Sequence, residues 1–493
     1  MLSMLAGPGS ASPVVKRKAL HVDRSSSIIR FGNDGWHARF DEGFDATGVA
    51  RMGDALGAVW AEEATDEDAP FEGGTVYVGF DSRHDSETLA LEAAGVIASY
   101  GIRVVVSNDV CPTPAVAWAC HHDPRALGGV IVTASERSCE YGGMLVRNSD
   151  GGTCTREFFD RVEQEVEKRA DASRGEFERA DLLADYRAAL LSQVGEAAVR
   201  PLKVVVDPMF GAGTGLLASL LRELGHDVEE IHGEYLEDFD GIHPDPRDPW
   251  ADACEQAVVA GGADLGVLLD GDGDRAAVVD QYGTILAVRE LVPLLLEYLV
   301  AEKGLSGRVI STLTSSASIE RQAKRLGLDF LAVPVGFSRI YREVQEGDVL
   351  LGAEEYGGIC LPAHLPERDG LLVCLLAVQM VSQSGISVRE LVDKLDANIG
   401  TRRYTRRDVH LEPEVCQVFR NVLPGLNPPE VAGKTPVDVS HADGLRLDFD
   451  DDAWVLMRPS RADAVVRVYA EAPNAAERDE LLEAACDIVR GGY

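Results

Sequence analysis

Positive charge is scarce in this chain. Against 82 Asp and Glu stand only 47 Lys and Arg, a formal net charge of −35. Nucleic acids and anionic membrane surfaces bind by having their phosphates neutralised by Lys and Arg, so neither is an expected partner. Any anionic substrate has to be met by local clusters of arginine. Long apolar runs are missing too. The longest, GLLVCLLAVQMV at 370–381, is too short to span a bilayer and carries Gln379, so it predicts a buried helix. The nine cysteines lie at irregular spacings with no CxxC pair and no adjoining His cluster. That argues against a disulfide framework or a zinc site and fits a reducing cytoplasm. Residues 1–27 hold Pro, Gly and Ser but no apolar core behind a basic start, so they read as a loose extension and not as a secretion signal.

What is present is enough apolar residue, 45%, to fold throughout, in 493 residues that exceed one ordinary core. At about 150 residues per domain, three or four are expected. One unit recurs three times: a strand, a polar or Gly-rich loop, a helix, a closing glycine and another strand. The copies are TVYVGFDSR through ASYGIRVVVS, LKVVVDPMFGAGTGLLASLLRELGHDVEEI, and GRVISTLTSSASIERQAKRLGLDFLAVPVG, with Gly101, Gly225 and Gly327 at the left-handed position that ends a helix. A period near 100 residues is too long for a solenoid and predicts three related α/β domains. The last section differs. DGLRLDFDDDAWVLMRPS alternates Leu445, Leu447 and Phe449, then turns through Asp450 to Asp452 into Trp454 and Leu456, which is hairpin patterning; VVRVYAEA adds a strand and AAERDELLEAACDIV an amphipathic helix. The fold expected is therefore α/β: three related α/β/α domains with mixed sheets over residues 28–190, 191–289 and 290–402, and an α+β domain over 403–493, around a central cleft.

Chemistry concentrates first in LLDGDGDR at 268–275. The run Leu265 to Leu269 has no polar alternation and reads as a strand covered on both faces. Asp270, Asp272 and Asp274 follow at its C-terminal end, where open α/β sheets present their ligand sites, and a period-2 backbone would send all three side chains to one side. Three carboxylates so close repel one another unless a cation neutralises them, and oxygen ligands of this kind suit Mg²⁺ or Ca²⁺. An EF-hand loop is excluded, since its Gly and Glu positions hold Arg275 and Gln281. A solvated acidic turn is the plain alternative. A second strand, in GGVIVTASERS at 128–138, ends near Ser135, which is either a phosphoryl acceptor or a turn former.

These stretches occur in an order. FGNDGWHARF, TASERSCEYGGMLV, LDGDGDR, GAEEYGGI and RPSRADAVVRVY follow one another, supported by VGFDSR, VDPMFGAG and DFDGIHPDP. The set resembles the α-D-phosphohexomutases, the phosphoglucomutase/phosphomannomutase family, from about Ile28 to the C-terminus. The resemblance implies that Ser135 carries a phosphoryl group and passes it between a hexose phosphate and a hexose bisphosphate intermediate. It implies Mg²⁺ held by Asp270, Asp272 and Asp274 with the phosphoserine oxygen of Ser135, and Arg275 against phosphate. Glu354 would accept from two sugar hydroxyls. Arg458 and Ser460, joined by Arg461 and Arg467, would bind the distal phosphate through N–H forks and a hydroxyl.

The departures from the family are specific. Its His-Asn-Pro after the nucleophile is Glu136, Arg137, Ser138, and its Lys is Leu145, which cannot move a proton. Its Arg in the first motif is His37, its sugar-loop Ser is Tyr356, which with Glu354 is expected to bind the substrate, and its Gly-Thr-Glu-Pro is Arg461, Ala462, Asp463, Ala464. Two readings follow. In one the protein is an active phosphohexomutase in which Glu136 carries the proton and Arg137 and Arg461 supply the missing positive charge. In the other it is a catalytically degenerate relative that binds a phosphosugar and regulates or scaffolds. A third outcome is a phosphatase-like activity with water in place of the sugar hydroxyl. The retained Ser135, Asp triad, Arg275, Glu354, Arg458 and Ser460 favour the first. The sequence leaves the particular hexose and the oligomeric state open.

Overall fold

The computed structural model describes residues 29–32, 34–64, 74–166, 173–195, 198–460 and 464–491. The extension expected at 1–27 and Arg461, expected to bind phosphate, lie outside these residues.

Three sheets share one local plan. In the first, Thr75–Phe80 is flanked by parallel Arg103–Ser107 and Ala126–Val132, and Ala126–Val132 turns back as antiparallel Tyr141–Arg147. In the second, Lys203–Asp207 lies between parallel Asp227–Glu230 and Leu265–Leu269, which returns as Ala276–Asp280. In the third, Arg308–Thr312 lies between Phe330–Val333 and Val349–Ala353, which returns as Ile359–Cys360. The stretches holding Ser135, the Asp triad and Glu354 are the same topological feature each time, the turn from the last parallel strand into its antiparallel partner. Gly101, Gly225 and Gly327 take φ of 79°, 95° and 74°, the left-handed values expected where each helix stops.

The fourth sheet is antiparallel, ordered Arg403–His410, Val465–Ala472, Trp454–Pro459, Leu445–Asp448, Asp438–Ser440, and is covered by helix Ala475–Val489. The predicted hairpin is there, with Leu445 opposite Met457 and Asp448 opposite Trp454. Its apolar face, including Leu445, Leu447, Val455, Met457, Val466 and Val468, is fully buried.

Helix Gly370–Ser384 is the predicted buried helix, with the run Gly370 to Ser382 wholly inside the protein. It is apolar all round because it packs on the second sheet as well as on its own neighbours, in one core with Leu265, Val267, Leu269 and Leu295. Among the described residues no single helix is long and apolar enough to cross a membrane. All nine cysteines are unpaired, and eight are buried.

Candidate active site

The nucleophile loop is shaped by a buried cation. Ser135 has φ 51°, a left-handed conformation that costs a non-glycine residue of order 1 kcal/mol and persists only where the surroundings impose it. Here they do. Arg83 and Asp81, both side chains fully buried, form an ion pair of 2.9 Å. Arg83 then donates to three loop carbonyls, those of Ser135 at 2.5 Å, Arg137 at 2.7 Å and Ser138 at 2.8 Å. Asp81 accepts from Thr133 Oγ1 at 2.6 Å, and that oxygen accepts from the Ser135 N–H at 2.9 Å. The result aims the Ser135 hydroxyl at the second sheet, where it donates to Asp270 Oδ2 at 2.9 Å.

Asp270, Asp272 and Asp274 do converge, each at most 1% exposed, with one carboxylate oxygen from each within 4.8 Å of the others. They do so through a tight turn and not through the extended strand expected from the alternation. Gly273 N–H donates to the Asp270 carbonyl at 3.2 Å, and Gly273 has φ 75°, which favours glycine. Close approach fixes the neighbours. A Cβ on Gly271 would lie 2.6 Å from the Ser135 carbonyl oxygen, so glycine lets the two loops touch. Thr113 donates to Asp272 Oδ2 at 2.6 Å and Arg368 pairs with Asp274 Oδ2 at 3.0 Å. The other oxygens, Asp272 Oδ1 and Asp274 Oδ1, are buried without a hydrogen-bond partner. Burial and the two neighbouring carboxylates push Asp270 well above the ordinary range, and burial pushes Asp274 up to about 6 despite Arg368. Orphaned buried oxygens and mutual repulsion are what a bound cation relieves, so the residues fit a metal.

Arg275 lies beside the triad, with Nε 3.8 Å from Asp274 and 4.0 Å from Asp270, and its guanidinium meets Glu136 at 3.2 Å. Burial would raise the Glu136 carboxyl, but Arg275, a backbone N–H and Arg137 prevail and bring it down to about 2. In this arrangement Glu136 is ionised near neutrality and held in an ion pair by Arg275. His37 is a second titratable group beside this loop. It pairs with Gly143 across the strands, where a Cβ would collide with its ring at 2.5 Å, and burial and Arg137 lower it to about 4 against the pull of Glu136 and Asp34. Leu145, where the family has Lys, is a core residue, 3% exposed.

The third loop carries Glu354, half-buried beside Arg368 at 3.2 Å and raised by burial to about 7. Arg368 is the hub that sequence reasoning missed. Only 4% exposed, its side chain reaches Asp34 of the first unit at 3.0 Å, Asp274 of the second, and Glu354 and Glu367 of its own. Glu367 in turn pairs with fully buried Arg147 at 2.9 Å. An Arg next to the Asp-Gly that starts a long apolar helix was the available signal. Backbone also joins the loops: Ala276 N–H donates to the Gly357 carbonyl at 3.1 Å, and Arg275 bridges Gly358. Tyr356 has its ring 4.5 Å from the Arg247 guanidinium and 5.2 Å from that of Arg406.

In the fourth unit Arg458 and Arg467 face each other across adjacent strands, an arrangement that is unfavourable without an anion. Arg458 donates to Asp443 at 2.8 Å, while the buried Arg467 Nε has no hydrogen-bond partner. Ser460, at the strand end, is 6% exposed. The structure thus unites Ser135, Glu136, Arg275 and the triad, ties Glu354 to them through Arg368, and leaves Arg458, Ser460 and Arg467 together on the fourth sheet.

A serine aimed at an acidic metal loop, a carboxylate loop and a basic loop, one per unit on three α/β/α sheets and a fourth antiparallel one, define the phosphosugar mutase class. Comparison with known proteins agrees. Family models described as phosphoglucomutase/phosphomannomutase α/β/α domains I, II and III match residues 29–173, 184–283 and 289–397. The chain belongs to the phosphoglucomutase/phosphomannomutase family. It is 30% identical over 416 residues to a phosphoglucomutase/phosphomannomutase of Thermococcus kodakarensis, covering 83% of this chain and 88% of the relative. It is 28% identical over 460 residues to a phosphoglucosamine mutase of Synechococcus elongatus, covering 92% of each. A Thermus thermophilus crystal structure assigned as a phosphomannomutase superposes with a TM-score of 0.82 at 30% identity, covering 94% of this chain and all of that one.

Proposed function

We propose that the protein is an active phosphohexomutase that interconverts hexose 1-phosphate and hexose 6-phosphate through phosphorylated Ser135 and a hexose bisphosphate intermediate. The observation that carries this reading is the Ser135 hydroxyl lying 2.9 Å from Asp270 inside the buried triad. In the forward half-reaction a sugar hydroxyl oxygen bonds to phosphorus while the bond from phosphorus to Ser135 Oγ breaks, and the proton of the sugar hydroxyl ends on Ser135. After the bisphosphate turns around, the same steps run in reverse from its other phosphate.

Mg²⁺ is the ion we assign to Asp270, Asp272, Asp274 and the Ser135 oxygen; when bound it offsets charge on the transferring group, the main requirement of phosphoryl transfer. Arg275 adds a cation at the same place. Glu354 receives sugar hydroxyls, and Arg458, Ser460, Arg467 and Arg461 receive the phosphate that is not reacting. Glu136, next to the nucleophile, and His37, neutral and beside the same loop, are the two groups placed to carry the proton. The family's Lys and His are absent, yet a degenerate scaffold has no use for a buried carboxylate triad with orphaned oxygens held against a strained serine. The unpaired cysteines fit a reducing cytoplasm.

The test is intact-mass measurement of phosphate on Ser135, then a coupled assay with glucose 1-phosphate, mannose 1-phosphate and glucosamine 1-phosphate in Mg²⁺. We expect a phosphorylated fraction and turnover of at least one sugar. A Ser135 that glucose 1,6-bisphosphate cannot charge, with no turnover on any of the three, would favour the binding relative; phosphate release without isomerisation would mark a phosphatase.

A further inference from the structure

The sugar loop of this chain makes a connection that a serine could not make. Three consecutive residues point three ways. Glu354 joins Arg368 at the metal loop, Glu355 accepts from Tyr404 of the fourth unit at 2.9 Å, and the Tyr356 ring lies against two guanidiniums. One of these, Arg247, belongs to the second unit and is anchored by Asp245 at 2.6 Å, with Asp245 itself 4% exposed. The other, Arg406, sits on Arg403–His410, the first strand after the chain enters the fourth unit, and is held by Asp408 through two bonds of 2.7 and 2.9 Å. Both cations are therefore held by a carboxylate of their own unit as well as by the ring. The far side of the loop is fixed differently. Gly357 has φ 81°, and a Cβ there would lie 2.3 Å from the Ala276 carbonyl oxygen, so the loop meets the second unit through backbone as well as through the Tyr356 ring, and the fourth through side chains.

A reaction that turns a bisphosphate around needs an active site that loosens without letting the intermediate go. A contact suited to that is one that is local, directional and weak enough to break each cycle, which describes a cation stacked on an aromatic ring. We propose that Tyr356 is a positioning residue, a pin whose ring, in contact with Arg247 and Arg406, holds the phosphate-binding unit against the sugar loop and so retains the bisphosphate during its reorientation. This rests on the mutase reading above. It assigns a purpose to the replacement of the family's serine, and it makes Arg247 and Arg406 parts of the pin.

The experiment uses the full chain with Ser135 phosphorylated, as wild type, Tyr356→Phe and Tyr356→Ser. Two quantities are read: the escape of labelled glucose 1,6-bisphosphate per turnover of glucose 1-phosphate or mannose 1-phosphate, and the radius of gyration of the unliganded protein by X-ray scattering. Losing the ring should raise escape about 5–10-fold, make turnover depend on added bisphosphate and enlarge the radius. Tyr356→Phe, which keeps the ring, should stay within about twofold of wild type. Wild-type escape and radius in Tyr356→Ser, or a Tyr356→Phe as defective as Tyr356→Ser, would overturn the pin. Should wild type turn over neither sugar, the mutase reading fails, and equal radii for Tyr356→Ser and wild type would refute the pin by themselves.

Discussion

Replacing Glu355 by glutamine should stabilise the protein in a way that depends on pH. Glu355 is 11% exposed at the contact between the sugar loop and the fourth unit, where it accepts from Tyr404 and has Arg406 at 3.9 Å. Burial outweighs these partners and raises its carboxyl from 4.5 to about 7. A raised carboxyl means that the folded state binds more protons than the unfolded state between those two values. Stability from this group is therefore full below pH 4.5 and is lost as pH climbs to 7 and beyond. The span of about 2.5 pH units corresponds to about 3 kcal/mol at most. Glutamine keeps the acceptor for Tyr404 and never ionises. At about pH 5 the variant and wild type should have stabilities from urea unfolding that agree within about 1 kcal/mol, and at about pH 8 the variant should be more stable by about 2–3 kcal/mol. Taking the difference between the two proteins at each pH cancels the other titrating groups. A difference that stays constant across that pH range would refute the reasoning.

Ser135→Ala removes the oxygen that accepts phosphorus and should abolish turnover while leaving the thermal midpoint within a few degrees; activity within a few-fold of wild type contradicts the assignment. His37→Ala should lower kcat by about 100-fold with little change in KM, while Glu136→Gln should lower it by less than about 10-fold, and the reverse order would assign the proton to Glu136. Raising KCl from about 0.15 M to about 1 M shortens the screening length from about 8 to about 3 Å. With a net charge of −35 the thermal midpoint should then rise by several degrees, and a midpoint that falls would show that specific ion pairs outweigh the global repulsion.

Much of this could be read from residue order alone. The alternation of Leu445, Leu447 and Phe449, the helix-ending Gly101, Gly225 and Gly327, and the unbroken apolar run before Asp270 are local signals, and local signals survive into the fold. The Asp triad was legible as a group because its members are neighbours in the chain. Its geometry was not, since convergence comes from a turn at Gly273 that alternation does not announce. The roles of Arg368 and Arg83 were hidden for a deeper reason: what each does is set by groups far away in sequence, Asp34 and Asp274 for one and the carbonyls of the Ser135 loop for the other. The partner of Glu136 was hidden for the same reason. Beside a serine it looks like a free carboxylate, and the guanidinium that pairs with it belongs to Arg275, 139 positions on.

The equivalent turns in the three α/β sheets bear on how such a molecule can change. Each sheet offers a socket of the same gauge at the same corner, so the chemistry is carried by short inserts and the load by strands that need not know what the inserts do. Residues such as Tyr356 and Glu136 could be swapped one socket at a time, with the framework indifferent to the exchange, and the repertoire of ligands would drift while the architecture stood still.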